Sequence, residues 1–331
     1  MPDTATLAGR MQFEGIGTRW RIDTPQTLPL SVEARIHAVV AEFDYMWSRF
    51  RADSLVTALG REGGTIPVGH DGEAMLRLYS RLYAATDGAV NPLVGAALEH
   101  LGYDASYRLT PLPGAPAPVP TWEGIFQGTT ALLTVRRGTV LDVGAVGKGR
   151  LVDLVADILI RAGQHTFTVD AGGDMRHAGR AAGDDDASQP LGPPLRVALE
   201  HPFDASRAVG VVGLRDAAIA ASATNRRAWA EGLHHVIDAR TGAPVADVTA
   251  TWAIARTAML ADAASTAAFF LPPQEVLTAL DGVHAVVVMP TRGPLRHAGL
   301  PQGPAPARGD GDGEELRTRP TAPLAYGEVF A

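Results

Sequence analysis

The chain has 331 residues, which is enough to bury a large core in one or two domains. Its formal net charge of −7 excludes the basic surface that is typical of nucleic-acid-binding proteins. The absence of cysteine excludes disulfides, thiolate metal sites and a cysteine nucleophile. No apolar run reaches the thickness of a bilayer, and the first residues lack the apolar region of a secretory leader. These features predict a cytoplasmic protein with no stable membrane insertion and no nucleic-acid partner.

The first half of the chain predicts an early strand followed by helices. Residues 11–23 favour a strand or a hairpin edge. In residues 31–50 apolar side chains recur at helical spacing, with Ser31 as a plausible cap. That apolar stripe is more typical of a core face than of a cofactor site. Residues 72–86 and 93–101 predict two further helices, whereas the Pro-rich residues 111–120 predict a surface loop.

A glycine-rich stretch occupies the middle of the chain. Residues 141–153, LDVGAVGKGRLVD, predict a strand, a glycine turn and a helix. Lys148, the only lysine in the chain, lies in this turn. Backbone N–H groups and a helix N-terminus at such a turn suit a phosphate group. An ordinary turn with a solvated lysine explains the pattern equally well, so the stretch by itself does not decide between the two.

The second half mixes consecutive strands with helices. The acidic residues 181–194 predict an exposed loop, and residues 299–322 predict a flexible tail. The irregular alternation of elements favours an α+β fold over a doubly wound sheet. Strands are expected near residues 195–200, 209–214, 217–221, 249–255 and 283–289, and helices over 257–271 and 274–280.

One Ala-rich helix of this half carries oxygen-bearing side chains. Asp262 and Thr266 are four residues apart, so they project from one helix face, with Ser265 beside them. Carboxylate and hydroxyl oxygens are ligands that suit Mg²⁺. A solvated aspartate and a threonine bonded back to its own helix explain the same pattern. The adjacent residues His234 and His235 would face opposite sides of a strand, so one is expected to pack inward and the other to meet solvent.

Several polar segments occur in an order that is itself informative. They cover residues 48–54, 86–92, 142–149, 172–174, 221–227, 235–244 and 261–266. In that order they resemble a Ser-Arg-aromatic segment, Thr-x-Gly-x-x-[Asp/Asn]-Pro, Asp-x-Gly-x-x-x-Lys-Gly, a Gly-Gly-Asp turn, a Thr-Ser-Gly-like turn, His-x-Ile-Asp-x-x-Thr-Gly-x-Pro and Ala-Asp-Ala-x-x-Thr. These are the motifs of the FAD:protein FMN transferase family, the ApbE-like flavin transferases. The chain is therefore identified as a member of that family.

The resemblance implies a fold and a reaction. The fold would be a single α+β domain, T-fold-like, with a mostly antiparallel sheet core and flanking helices over residues 1–300. Residues 301–331 would be a flexible Pro/Gly-rich tail. The enzyme would use Mg²⁺ to transfer FMN from FAD through a phosphoester bond to a Thr or Ser hydroxyl of a partner flavoprotein, releasing AMP. That acceptor could bring the protein to a membrane. The alternatives are an FAD pyrophosphatase that yields FMN and AMP, and a non-catalytic FAD-binding protein.

The resemblance also implies the site residues. Asp262 and Lys148 would be catalytic, and Phe50 would stack on the isoalloxazine ring of FAD. The other FAD-binding residues would be Ala89, Val90, Asn91, Asp142, Lys148, Val236 and Ile237. The metal ligands would be the carbonyl of Ala145 and the side chains of Asp262, Ser265 and Thr266.

Four positions depart from the family pattern. Ile16 stands where many members have Met, and Asn91 stands where Asp is common. Ser265 stands where some members have a second acidic ligand. Residues 221–223, Ala-Ser-Ala, replace Thr-Ser-Gly on the acceptor side of the site. The implied Asp262 and Thr266 ligands are present in spite of these changes.

Overall fold

The computed structural model describes residues 8–127, 131–179, 194–300 and 325–329. The α-helices are α1 Leu30–Trp47, α2 Leu55–Glu62, α3 Gly69–Ala85, α4 Gly95–His100, α5 Gly147–Arg161, α6 Ala258–Ala267 and α7 Pro273–Ala279, and short 3-10 turns cover Pro92–Val94 and Thr224–Arg227. The strands are β1 Gly9–Gly15, β2 Thr18–Thr24, β3 Gly64–Pro67, β4 Phe126–Gln127, β5 Leu132–Val135, β6 Thr166–Asp170, β7 Asp174–Gly179, β8 Leu195–His201, β9 Asp204–Leu214, β10 Ala217–Ala223, β11 Ala228–Ala230, β12 Leu233–His234, β13 Ile237–Asp238, β14 Ala243–Pro244, β15 Val248–Ala255, β16 Val283–Pro290, β17 Arg296–Ala298 and β18 Ala325–Val329.

An eight-stranded sheet forms the centre of the molecule. Its strand order is β1-β2-β6-β7-β10-β15-β16-β17, and every neighbouring pair is antiparallel. Helices α1, α3, α5, α6 and α7 contribute to the core on one face of this sheet. The apolar stripe of α1 is buried there through Ile36, Val40 and Phe43, as the sequence predicts. The predicted α+β class, with a mostly antiparallel sheet and flanking helices, is confirmed.

A three-stranded sheet covers part of the other face. Its order is β18-β9-β8, and Leu199, Val209 and Val212 pack against Ile219 and Trp252 of the central sheet. All eight residues of β15 are buried, because both faces of that strand are covered. The layers are therefore helices, the large sheet and the small sheet.

Several element boundaries differ from the sequence predictions. Helix α1 begins after Pro29 with no side-chain cap, so the predicted cap at Ser31 is wrong. Helix α6 ends at Ala267, before the predicted end, because Pro272 and Pro273 follow closely and cannot continue a helix. The predicted strand before Gly144 does not form. Among the described residues, no helix is both long and apolar enough to cross a membrane.

The predicted tail contains a strand. Residues 301–324 and 330–331 lie outside the described residues, as do residues 181–193 of the predicted acidic loop. Ala325–Val329 form β18, which pairs antiparallel with β9. This part of the chain is therefore not a flexible tail, since its backbone completes the small sheet. The domain limit at residue 300 stays a prediction.

Helices α5 and α6 cross in backbone contact at Gly149. A Cβ atom at residue 149 would lie 2.3 Å from the carbonyl oxygen of Ala258 and 2.8 Å from the Cβ of Asp262. One turn further along α5, the carboxylate of Asp153 accepts the N–H groups of Ala258 and Met259, each at 2.9 Å. These two N–H groups belong to the first turn of α6 and have no partner within the helix. The crossing thus fixes the helix that carries Asp262.

We expect Gly149→Ala to destabilise the protein by about 1–3 kcal/mol, the usual cost of overpacking a core. The added methyl group would meet a backbone carbonyl, which cannot move without moving α6. Gly179→Ala is the matched control, because its Cβ would approach only the side-chain Nε2 of His177, at 3.3 Å. Chemical denaturation of both variants measures the difference. Equal free energies of unfolding would contradict the backbone contact.

Candidate active site

A cavity of about 1510 Å³ lies where the helix layer meets the ends of the sheet strands. It is larger than the roughly 300–1,000 Å³ that is typical of small-molecule pockets. Ser265 is absent from its lining residues. The cavity brings together the other predicted site residues, which are Phe50, Ala89, Val90, Asn91, Asp142, Ala145, Lys148, Val236, Ile237, Asp262 and Thr266.

Tyr79 of α3 holds the turn that leads into α5. Its hydroxyl donates to the carbonyl oxygen of Asp142 at 3.2 Å and accepts the N–H of Ala145 at 3.1 Å. Burial, and then the carboxylate of Asp142, raises the pKa of Tyr79 well above its usual range, so the phenol keeps its proton. The two hydrogen bonds fix the position of Ala145, the predicted carbonyl ligand. Nothing in the sequence distinguishes Tyr79 from the other residues of its predicted helix, so its role could not be predicted.

Arg49 fixes the carboxylate of Asp142. The buried guanidinium donates from Nε to Asp142 Oδ2 at 2.6 Å and from Nη1 to the carbonyl of Tyr103 at 2.9 Å. The other Asp142 oxygen accepts the N–H of Gly144 at 2.7 Å. Burial would raise the pKa of Asp142, but Arg49 and Gly144 outweigh it and hold that pKa below its usual range. Both carboxylate oxygens therefore have protein donors. The Ser-Arg-aromatic segment was the signal for Arg49.

Lys148 lies in the first turn of α5 and is paired with Asp174. Its Nζ is 3.0 Å from Asp174 Oδ1, and its side chain is only 22% exposed. The alternative of a solvated turn lysine is therefore wrong, because the ammonium faces a buried carboxylate. The second oxygen of Asp174 is buried and has no hydrogen-bond partner among the described residues. Asp174 was recognised in the sequence as part of a Gly-Gly-Asp turn but was given no role.

Asp262 adds a second buried carboxylate to this pair. It is 3% exposed, so the alternative of a solvated aspartate is wrong, and its Oδ2 accepts the N–H of Gly149 at 3.1 Å. Burial, and then the carboxylate of Asp174, raises the pKa of Asp262 well above its usual range. Burial also raises the pKa of Asp174, against the effect of Lys148. One ammonium thus faces two carboxylates, and the excess negative charge needs a proton or a further cation.

The atoms near this excess negative charge that could coordinate a cation are all oxygens. Asp262, Thr266 and Ala145 line one cavity and offer a carboxylate, a hydroxyl and a carbonyl. Such hard donors fit Mg²⁺. Within the described ranges, no group of three or more His, Asp or Glu side chains could hold a metal ion by itself. A cation here would therefore complete its shell with water or with oxygens of a substrate, which is usual for Mg²⁺.

Ser265 is held away from these donors. Its hydroxyl donates to the carbonyl oxygen of Asp262 at 2.9 Å and lies 2.8 Å from the hydroxyl of Ser222 on β10. The side chain is fully buried between α6 and the sheet. The structure therefore does not bring Ser265 together with the other three predicted ligands.

His235 is a cavity residue to which the sequence analysis gave no role. Its ring lines the cavity, and its Nδ1 is buried without a hydrogen-bond partner among the described residues. Burial, and then the nearby Arg227, lowers the pKa of His235 to about 3, so the ring is neutral at physiological pH. His234 packs inward, with Nε2 2.9 Å from the carbonyl of Val245. The expectation that one packs inward and the other meets solvent is confirmed, because His234 is buried whereas His235 follows the end of β12 and is partly exposed in the cavity.

An aromatic wall lies beside these charged groups. The rings of Phe50 and Tyr107 are stacked with centroids 5.5 Å apart, and those of Tyr103 and Trp229 are stacked at the same distance. The Cζ of Arg49 lies 4.2 Å from the Phe50 ring centre. Tyr107 is 52% exposed, so it covers the stacked face of the Phe50 ring from the solvent side. Such a wall suits a flat aromatic ligand.

Arg227 is a cavity-lining cation for which the described residues show no acidic partner. Burial raises the pKa of Tyr103 against the positive charge of Arg227, and that charge adds to Arg49 in lowering the pKa of Asp142 and to burial in lowering the pKa of His235. An unpaired guanidinium at this place can bind an anionic ligand. The other cavity-lining cations are paired, Arg19 with Glu14, Arg49 with Asp142, Arg51 with Asp44, Lys148 with Asp174 and Arg226 with Glu200.

The segment 89–91 lines the cavity, as do Val236 and Ile237. The carbonyl of Ala89 accepts the N–H of Ala239 at 3.0 Å, which ties the two pieces together. The amide of Asn91 donates to the carbonyl of Pro120 at 2.9 Å and accepts the N–H of Leu93 at 3.0 Å. Because the Asn91 side chain is used within the protein, this segment offers mainly its backbone to a ligand.

Comparison with known proteins agrees with this geometry. Curated relatives include the FAD:protein FMN transferase of Treponema pallidum (strain Nichols), 27% identical over 314 residues that cover 86% of this chain and 85% of the relative. The FAD:protein FMN transferase of Escherichia coli (strain K12) is 26% identical over 298 residues, covering 82% and 80%.

Solved structures share the fold at lower identity. The ApbE protein of Thermotoga maritima superposes with a TM-score of 0.70 at 22% identity, covering 87% of this chain and 96% of that one. The flavin transferase ApbE of Vibrio cholerae gives a TM-score of 0.66 at 21% identity, with the same coverage. The model of the ApbE family matches residues 16–288, which is most of the sequence. The chain therefore belongs to the ApbE family.

Proposed function

We propose that this protein is an FAD:protein FMN transferase, which moves FMN from FAD to a Thr or Ser hydroxyl of a partner flavoprotein and releases AMP. The observation that carries the proposal is that Lys148, which is paired with Asp174, and Asp262 line one cavity together with an aromatic wall. A dinucleotide with a flat ring and a pyrophosphate requires both features. The curated relatives named FAD:protein FMN transferase support the same activity.

The cavity walls suggest how FAD binds. The isoalloxazine would stack on Phe50, where Tyr107 now lies, and Tyr107 can move because it is half exposed. The pyrophosphate would lie near the N-terminus of α5, whose helix dipole favours anions. Lys148 and Arg227 would supply positive charge on two sides of it. Binding of this kind positions the phosphorus for displacement.

The reaction is a displacement at the phosphorus of the FMN half. The acceptor hydroxyl oxygen forms a new P–O bond while the bridging P–O bond to AMP breaks, and AMP leaves with the released charge. The hydroxyl proton is lost to solvent as the new bond forms. His235, which is neutral and has a nitrogen without a described partner, would accept a hydrogen bond from the hydroxyl and orient it, because a ring with a pKa of about 3 is too weak a base to keep the proton.

The resemblance to the family implies Mg²⁺, and the donor set fits it. Asp262 and Thr266 would hold it together with the carbonyl of Ala145, whereas the buried contacts of Ser265 do not favour that residue as a ligand. When bound, Mg²⁺ neutralises charge on the phosphoryl oxygens. The protein itself contributes the excess carboxylate charge that attracts a cation to this place.

The decisive experiment is a transfer assay. The protein is incubated with FAD, Mg²⁺ and an acceptor domain that serves the Escherichia coli relative, and the acceptor is weighed by mass spectrometry. A mass increase equal to FMN together with stoichiometric AMP is expected. Free FMN and AMP without modified acceptor would identify a pyrophosphatase instead. Bound FAD with no product would identify a non-catalytic binding protein.

Asp262→Ala should lower the transfer rate at limiting Mg²⁺ by more than about 100-fold, because it removes the anionic oxygen among the donors. Thr266→Val should cost less, since water can replace a neutral ligand. FAD affinity should stay within about threefold through the aromatic wall. Ser265→Ala on the same helix is the control and should keep most activity. Full activity of Asp262→Ala at limiting Mg²⁺ would refute the metal site.

His235→Gln should lower kcat by about tenfold while FAD affinity is kept, because the acceptor hydroxyl loses the ring nitrogen that orients it. The pKa of His235 is lowered to about 3, so the ring stays neutral above that pH and is protonated only as pH falls through it. The pH profile of kcat/KM for FAD in the wild type should therefore show no acid limb from His235 between pH 5 and 8. An acid limb near pH 6.5 that disappears in His235→Gln would show instead that His235 titrates and acts as a base, and an unchanged kcat would show that it has no role.

Arg227→Ala should weaken FAD binding about tenfold, which corresponds to about 1.4 kcal/mol, because the pyrophosphate loses a cation. Binding of riboflavin, which has no phosphate, should be unchanged. Arg227→Lys keeps the charge and serves as the control. Calorimetric titration with both ligands measures the effect. An equal loss of affinity for FAD and riboflavin would show that Arg227 only supports the wall.

A further inference from the structure

Strand β8 turns its edge, rather than one of its faces, toward the cavity. Val197, Ala198, Leu199 and Glu200 all line the cavity. Successive side chains of a strand point to opposite faces. Four consecutive residues can therefore line one space only when the backbone edge of the strand faces it. The other edge of β8 is paired with β9.

The cavity edge of β8 has no backbone partner in the part of the chain that the structure describes. The small sheet ends at β8, and residues 195–201 make no described backbone hydrogen bond outside their ladder with β9. The unpaired N–H and C=O groups of such an edge are a template for an added strand. Extended peptides bind many proteins in this way, with backbone hydrogen bonds giving affinity.

The tip of the β8–β9 hairpin is tied to the phosphate side of the cavity. Glu200 is paired with Arg226 at 2.8 Å, and the carbonyl of Pro202 accepts a hydrogen bond from the side chain of Asn225. Asn225 and Arg226 belong to the same 3-10 turn as Arg227. The edge is therefore held in a fixed place relative to the cation that we assign to the pyrophosphate.

The sheet surface that lines the cavity beside this edge is mixed. Met175, Ile219, Ala221 and Trp252 of the central sheet are apolar lining residues, and Asp170 is a charged one. A backbone edge beside such a floor suits an extended segment, whose main-chain groups pair with the edge while its side chains meet both kinds of residue.

We propose that β8 is the docking strand for the acceptor flavoprotein. An extended segment of the acceptor pairs with β8 as an added strand and places its Thr or Ser side chain in the cavity. This proposal rests on the transferase function proposed above. Recognition through backbone groups would let the enzyme orient a hydroxyl of another protein without a separate pocket for each side chain beside the target residue.

Proline substitution in β8 tests the docking strand. Of the adjacent residues Val197 and Ala198, one directs its N–H toward β9 and the other toward the cavity, and proline is tolerated where the N–H is not used in the sheet. The variant among Val197→Pro and Ala198→Pro that keeps the wild-type unfolding midpoint should raise the KM for the acceptor domain at least tenfold. Its Kd for FAD should stay within twofold. An unchanged acceptor KM in that variant would overturn the proposal.

Hydrogen exchange gives a readout that needs no substitution in this protein. Wild-type enzyme with FAD is mixed with an acceptor domain whose target residue is replaced by alanine, so that no transfer occurs. Amides within residues 195–201 should exchange at least tenfold more slowly, and unchanged exchange there would overturn the docking strand. If wild type fails to modify the intact acceptor, the transferase function fails. If it modifies the acceptor without protection of β8, only the docking strand fails.

Discussion

The backbone contact between α5 and α6 at Gly149 is the constraint on which the site depends. Residue 149 can have no side chain, because a Cβ would lie 2.3 Å from the Ala258 carbonyl oxygen. The two helices therefore approach closely enough for the Gly149 N–H to reach the carboxylate of Asp262 at 3.1 Å. Asp153 holds the same crossing by accepting the first N–H groups of α6. Lys148 and Asp262, far apart in sequence, are thus brought to one cavity by two helices in backbone contact.

The carboxylates buried near the crossing of α5 and α6 carry an unfavourable electrostatic free energy that the packing of the two helices does not itself require. Burying carboxylates is unfavourable unless they are paired, and Asp174 and Asp262 share one ammonium, that of Lys148. The second oxygen of Asp174 has no donor group as partner among the described residues, and the carboxyl of Asp262 is its neighbour, so the two carboxylates need an added proton or cation between them. Such unbalanced clusters are concentrated at functional sites. The nearby hydrogen bonds of Tyr79 and Arg49, by contrast, tie the turn at Asp142 to the helix layer.

Features that depend on residues close together in the chain could be predicted from the sequence. Helical spacing placed the core stripe of α1, and the spacing of Asp262 and Thr266 correctly put both on one wall of the cavity. The missed residues depend on distant partners: Tyr79 meets Asp142 across 63 positions of sequence, and Arg49 meets it across 93. The ligand role that the resemblance implies for Ser265 stays a prediction, and the contact of its hydroxyl with Ser222, at 2.8 Å, is one that helix periodicity cannot indicate. Strand β18 was missed because its pairing with β9 adds no local pattern.

The cavity extends past the end of the central sheet, so both the helix layer and the small-sheet layer contribute lining residues to it. Lys148 and Asp262 line it on the helix layer, whereas Val197 lines it on the small-sheet layer. The β6–β7 turn between these layers is tight, since a Cβ at Gly172 would lie 2.2 Å from Thr18 Oγ1. A displacement at phosphorus needs its nucleophile and its leaving group on opposite sides. A dinucleotide held from the helix layer and a hydroxyl delivered along β8 from the other layer would meet this requirement without movement of either layer.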